Sequence, residues 1–267
     1  SFEYGVWILS SSYNNKVYNN TITTSRDGYG LFIQGSSNNS AYANKITTKG
    51  SSGYGIVIDT SSKNSVYGNM IHKSNTTSHG IFLNNNVYNN TIFDNNITTK
   101  NRTSSYGIYL LQNVNNNTFY QNSISSLAVG ILINGTDQTS SQTTRFNTFT
   151  NDTIVRCRAG CAANYQDIVL TANATDIIFT NVSFNKSRIA FIPRDSEVPV
   201  EINNLTVMWY LDVNVTNSSD NTPITNAQVV INDSFATNVF DGLTSVTGGI
   251  ATLTVTEFTM NGSVPFT

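Results

Sequence analysis

The residues able to do acid–base or nucleophilic chemistry are few and scattered. Asp59 closes a short apolar run, Ile56-Val57-Ile58, but the positions 25 residues to either side hold Gln34 and Asn84. Two-carboxylate glycoside hydrolysis needs its acids roughly 5–10 Å apart, and a calcium-assisted site needs a carboxylate cluster. Asp27, Asp94 and Asp137 fall elsewhere and supply neither. His72 and His79 lack the flanking motifs of a Ser-His-Asp site. All of these read as ordinary polar surface residues. Cys157 and Cys161 form a C-x3-C pair in RCRAGC with no second pair. That spacing predicts a disulfide closing a tight loop of an exported protein, or two free thiols, rather than a metal site. No catalytic set, metal-ligand set or cofactor is predicted, and the chain reads as a non-enzyme.

The other chemistry written in the sequence is modification. Asn-x-Ser/Thr recurs, with acceptors at Asn19, Asn38, Asn75, Asn89, Asn101, Asn134, Asn173, Asn217 and Asn232. Ser and Thr are so abundant that part of this is chance. The loop sequons at Asn75 and Asn101 are the better candidates for glycans in a secreted chain. Asn151 and Asn181 align with a column of asparagines expected to be buried, where a sugar could not attach.

The elements that must carry these residues form a repeat. Gly followed by apolar, any, apolar occurs at Gly5-Val6-Trp7-Ile8, Gly30-Leu31-Phe32-Ile33 and Gly55-Ile56-Val57-Ile58. It returns at Gly80-Ile81-Phe82-Leu83, Gly107-Ile108-Tyr109-Leu110 and Gly130-Ile131-Leu132-Ile133, and with Asp for Gly at Asp167-Ile168-Val169-Leu170. Ser187 to Ile192 reads as an eighth, partial copy. A second pattern runs in phase, Asn-x-apolar-x-x-Asn-x-Ile, as in Asn64-Val66-Asn69-Ile71. Its second Asn recurs at Asn20, Asn44, Asn69, Asn95 and Asn122, in steps of 24 to 27 residues. A period in this range signals a solenoid. Three short strands fit each period, so the predicted fold stacks parallel strands about 4.8 Å apart. The Asn columns are expected at corners. There Asn tolerates left-handed backbone, and its amide can bond the same amide one coil away.

Side chains alternate along a strand, so residues one and three after each Gly face the core. The residue between them points outward: Trp7, Phe32, Val57, Phe82, Tyr109, Leu132 and Val169, all apolar. Seven coils make this stripe about 30 Å long. Strands apolar on both faces are normally covered on both, so the stripe is expected to meet another subunit, the C-terminal module, or a polysaccharide stacking on its rings. The repeat begins at Tyr4-Gly5 with no capping segment before it. An open end face of this kind would suit head-to-tail contact between copies.

These motifs resemble the right-handed parallel β-helix repeats of NosD-type and pectinase-like proteins over residues 1–192. The resemblance implies the handedness and a triangular cross-section. It implies no copper site, because the two His, two Cys and three Met have no ligand spacing. After a linker at 193–199, bracketed by Pro193 and Pro199, the pattern changes. Alternating segments around Trp209 to Val215, Ala227 to Ile231 and Ile250 to Val255 read as antiparallel strands. Residues 200–267 resemble the carboxypeptidase-regulatory-like or immunoglobulin-like β-sandwich modules of archaeal and bacterial surface proteins.

The predicted fold class is therefore all-β, a right-handed parallel β-helix of about seven to eight coils plus a small antiparallel β-sandwich. Only 11% of the 267 residues are charged and the net charge is −2. That gives no basic patch for nucleic acid. No apolar run reaches the ~18 residues of a membrane helix. The chain begins at Ser1 with no signal-like segment and reads as processed or as a fragment. Together these features predict an extracellular, cell-surface glycoprotein, by resemblance archaeal. It would polymerise with copies of itself into a filament, sheath or surface layer through the stripe and open end. The rival reading is a carbohydrate-binding or polysaccharide-processing β-helix.

Overall fold

The structure, a computed structural model, describes residues 3–74, 79–100, 104–135, 143–155, 157, 160–192 and 203–261. The chain forms two compact units, Ser1–Thr206 with Thr259–Thr267, and Val207–Phe258. Asn75, Asn101 and Asp137 lie outside the described residues.

In the first unit each coil gives one strand to each of three parallel sheets, building a solenoid of about seven turns. The first sheet stacks the Gly-led segments in sequence order: Val6–Leu9, Leu31–Gln34, Ile56–Asp59, Ile81–Asn84, Tyr106–Leu111, Val129–Asn134, Gln166–Thr171 and Ile189–Ile192. The last of these is the partial eighth copy. Register keeps like residues together, with Leu31 on Ile56, Phe32 on Val57 and Ile33 on Ile58. The second sheet begins with Lys16–Tyr18 and Ser40–Tyr42. The third runs from Thr21–Thr24 to Thr153–Val155. Among the described residues the only helical segment is a 3-10 turn, Lys186–Arg188.

The interior follows the alternation. Leu31, Ile56, Ile81, Ile108, Ile131 and Ile168 are fully buried, as are Ile46, Ile97 and Ile124 from the third sheet. Burying each such side chain stabilises by roughly 1.5–3 kcal/mol. Gly heads each copy because the coil pinches there: a Cβ on Gly107 would sit 2.2 Å from Ile124 Cγ2. The seventh copy can carry Asp167 because the third sheet ends at Thr153–Val155, beyond which only the bridge Thr153–Ser183 continues it. Asp167 is buried, and its Oδ2 accepts from the Asn185 amide at 2.6 Å.

Two asparagine ladders run along the corners. One joins Asn15, Asn39, Asn64, Asn90, Asn117 and Asn147, the other Asn20, Asn44, Asn69, Asn95, Asn122 and Asp152. Asn95 is representative. Its Nδ2 donates to Asn122 Oδ1 at 3.0 Å and to the carbonyls of Phe93 (3.0 Å) and Val66 (2.9 Å). Two expectations are corrected here. The left-handed residue is the one before each ladder position, such as Asn19, Ala43, Gly68 and Asp94, with φ between 53° and 61°. The ladder residue itself only bonds. In the sixth coil the ladder position is Asp152. Asn151 is the exposed left-handed residue, and its Oδ1 accepts from exposed Asn181 at 2.8 Å. Neither amide is buried, so burial does not bar either sequon.

The second unit contains an antiparallel hairpin, Gln228–Asn232 with Asn238–Leu243, and the antiparallel bridges Asn214–Gly249 and Thr216–Pro223. It begins at Val207, later than the change of pattern at Pro193.

Candidate functional site

The outward stripe is not the open surface that alternation alone suggests. Phe32, Val57, Phe82, Leu132 and Val169 are buried, Tyr109 is half-buried, and only Trp7, 45% exposed, keeps an open face while stacking on Phe32. Phe32, Val57 and Phe82 form a cluster with Tyr4, Tyr29, Tyr54, Tyr109 and Leu111 packed against it. Four of the covering rings, Tyr4, Tyr29, Tyr54 and His79, belong to the residue before a Gly. Tyr29 and Tyr54 stack at 5.1 Å, Tyr54 and His79 at 4.8 Å, and His79 and Tyr106 at 4.7 Å. These rings stack coil on coil, with Tyr29, Tyr54 and His79 just ahead of the first sheet's strands. The sequence carries a signal for this cover, an aromatic before Gly in five successive copies: Tyr4, Tyr29, Tyr54, His79 and Tyr106.

Both ring columns stop at the fifth coil. After Tyr106 the next coils place Val129 and Gln166, and after Tyr109 they place Leu132 and Val169. Smaller side chains under the last two rings leave a recess of about 480 Å³ on the outer face of the first sheet. Tyr106 and Tyr109 wall it at one end, Leu132 and Val169 line it, and Asn134, Asn164, Gln166, Ser104 and Thr171 supply amides and hydroxyls. Gln166 Oε1 and Thr171 Oγ1 are buried without a hydrogen-bond partner. Burial holds the Tyr106 phenol above its ordinary pKa, so it is a neutral donor. No described lining residue is ionised at neutral pH. The recess therefore offers an apolar floor, ring faces and uncharged hydrogen-bonding groups, as sites for small polar rings do.

The other candidates lie apart from it. Asp59 sits in an amide belt, accepting from Gln34 at 3.2 Å and Asn84 at 3.3 Å. Its row continues through Leu111, Asn134, Thr171 and Ile192, so the last three members of Asp59's own row reach the recess. His72 is on the third sheet, and burial and Lys100 lower its pKa. His79 lies in the aromatic stack, where burial lowers its pKa to about 3, and its Nδ1 accepts from the Tyr106 amide at 3.3 Å. His79 lies outside the strands, just ahead of Ile81–Asn84, so the two histidines do not share a sheet. Cys157 and Cys161 are bonded, with S–S 2.03 Å and Cα–Cα 6.0 Å. Asn19, Asn38, Asn89, Asn217 and Asn232 are exposed, Asn173 is half-buried, and Asn134 faces the recess. Among the described residues no group of three or more His, Cys, Asp or Glu side chains is placed to hold a metal ion, and no helix is long and apolar enough to cross a membrane.

The family described as right handed beta helix region matches residues 1–124. Comparison with curated proteins gave no match. Among solved structures, a mutant of the periplasmic alginate epimerase AlgG is similar at 16% identity and TM-score 0.45, over 71% of this chain and 48% of that one. The alginate lyase from Paenibacillus sp. str. FPU-7 is similar at 11% identity and TM-score 0.38, over 66% of this chain and 72% of that one. Bacteriophage CBA120 tailspike protein 3 is similar at 13% identity and TM-score 0.34, over 84% of this chain and 42% of that one. The chain thus spans about half the length of the epimerase. At these identities the likeness is one of fold.

These neighbours correct the expectation of a non-enzyme, since two of the three are enzymes acting on alginate. The scattered carboxylates do not set catalysis aside. A solenoid assembles a site across coils, and a search for paired acids tests only one kind of chemistry.

Proposed function

We propose that this chain is an extracellular polysaccharide-engaging β-helix protein, holding its glycan in the recess beside Tyr106 and Tyr109. The observation that carries this reading is the end of the two ring columns over Leu132 and Val169, where the outer face turns from closed aromatic packing into a lined recess. A sugar ring has an apolar C–H face and a rim of hydroxyls. Tyr109, Leu132 and Val169 suit the first, and Gln166, Thr171 and Asn164 suit the second. The exported setting is supported by the Cys157–Cys161 disulfide. Assembly through the stripe has less support, because its middle members are buried against their own neighbours.

The test is affinity electrophoresis of the wild type and Tyr109→Ala through a panel of soluble polysaccharides, with circular dichroism as the check on folding. Retardation by at least one polysaccharide, lost in folded Tyr109→Ala, is the expected result. Retardation by none, or equal retardation of both proteins, overturns the assignment.

A further inference from the structure

The ladder corners hold a modification chemistry that is independent of the recess. Four sequons cross a corner in one fixed geometry: Asn19-Asn20-Thr21, Asn38-Asn39-Ser40, Asn89-Asn90-Thr91 and Asn116-Asn117-Thr118. In each the acceptor Asn is exposed and left-handed, with φ between 55° and 58°. The middle residue is a ladder asparagine, and its side chain is tied to the next coil. The Ser or Thr opens the following strand, with Thr21 and Thr118 exposed and Ser40 and Thr91 half-buried. A glycosylation acceptor is recognised by its amide and by the hydroxyl two residues on. Here both project outward, because the tied residue lies between them. The turn alone does not demand asparagine, since Ala43, Lys63, Asp94 and Gln121 hold the same left-handed conformation in other coils. Asn151 repeats the geometry, but its side chain already bonds Asn181.

The outer face of the second sheet lies between these two corners. On it Tyr18, Tyr42, Tyr67, Phe93 and Tyr120 stack in one column, with centroids 5.0, 4.8, 4.7 and 4.6 Å apart. The rings cover one another's faces and leave their edges open. Tyr18 is 50% exposed and the other four are half-buried. On the first sheet Tyr29 and Tyr54 fold over Phe32 and Phe82. Ahead of the second sheet's strands stand ladder asparagines instead, so no described residue there folds a ring over the column. Asn38, Asn89 and Asn116 border the column at one corner, and Asn19 borders it at the other, directly after Tyr18. Sugars on these residues would stand beside ring edges and phenol hydroxyls, groups that contact a hydroxyl-bearing ring well.

We propose that Asn19, Asn38, Asn89 and Asn116 carry N-linked glycans that flank the tyrosine column of the second sheet. The donor is a lipid-phosphate-linked oligosaccharide. Asn Nδ2 bonds to its anomeric carbon, the anomeric C–O bond breaks with its electron pair on the phosphate, and one amide proton leaves. The exported route that this needs is supported by the Cys157–Cys161 disulfide. Glycopeptide mapping of native protein tests the sites, using electron-transfer fragmentation, which keeps each sugar on its residue. Sugar on the four corner asparagines is the expected result. Bare corners, with sugar elsewhere or with none, overturn the proposal and leave the recess reading as it stands. Thr21→Val, made in the same source cells, tests the flanking. It removes an exposed hydroxyl and leaves Asn19 in place. Loss of the Asn19 sugar with a gain in Tyr18 nitration by tetranitromethane is expected. Loss of the sugar with unchanged nitration overturns the placement beside the column.

Discussion

Asp152 ends an asparagine ladder and should make the solenoid's stability depend on pH. Its Oδ1 plays the ladder's part, accepting from the Asn122 amide nitrogens at 2.7 Å (main chain) and 2.9 Å (Nδ2). Its Oδ2 then takes the place of the ladder's NH2 group, which in Asn95 donates to two carbonyls. Oδ2 is buried and has no hydrogen-bond partner. Burial raises the Asp152 pKa from 3.8 to about 7, against the opposing pull of the Asn122 donors. The folded state therefore keeps a proton that the unfolded chain releases. Stability from this group is full below pH 3.8 and is lost as pH rises to about 7. At ~1.4 kcal/mol per pKa unit, the loss at pH 8 approaches ~4 kcal/mol. Asp152→Asn restores an amide where the carbonyls call for one. Urea unfolding of both proteins at pH 4 and pH 8 isolates the effect, because other titrating groups cancel in the difference. The variant should be more stable at pH 8 by up to ~4 kcal/mol, with most of that gain gone at pH 4. An advantage that is the same at both pH values, or a variant weaker at pH 8, would refute the reasoning.

Three further expectations follow from the same contacts. Asn95→Asp places a carboxylate inside the same ladder, and denaturant unfolding should show a loss of ~2–4 kcal/mol at pH 8 that shrinks on acidification. His79 stays neutral when folded, so below pH 6.5 the unfolded chain takes up a proton that the native state refuses. Stability then falls by ~1.4 kcal/mol per unit towards pH 3, and His79→Phe should flatten that segment of the Tm-against-pH curve. Asn134 lines the recess, so a glycan on it would fill the site. Peptide mapping of native material should find Asn134 bare, and a sugar there would contradict the assignment.

The repeat itself was legible in sequence because a solenoid writes each coil separately. Gly-led apolar triplets and paired asparagines recur in phase, and parallel register stacks like on like. Alternation correctly sent Phe32 and Phe82 away from the core, but it says nothing about what lies over them. Their cover comes from Tyr29, Tyr54 and His79, residues that precede the Gly and seemed to belong to the connecting segment. The ladder was misplaced at Asn151 because residue type matched. The five-residue spacing between the two ladders, kept from Asn15 and Asn20 to Asn117 and Asn122, puts the buried position at Asp152, five after Asn147. The recess was half visible: the columns Tyr106-Val129-Gln166 and Tyr109-Leu132-Val169 can be aligned by eye. That the step in side-chain size opens a cavity requires knowing that the rings before it form a closed layer.

A crystal structure of the chain with an oligosaccharide of a polysaccharide that retards it tests the central claim most directly. Sugar density in the recess against Tyr109, Leu132 and Val169 is the predicted result. Density on another face of the solenoid, with this recess holding only solvent, would contradict it.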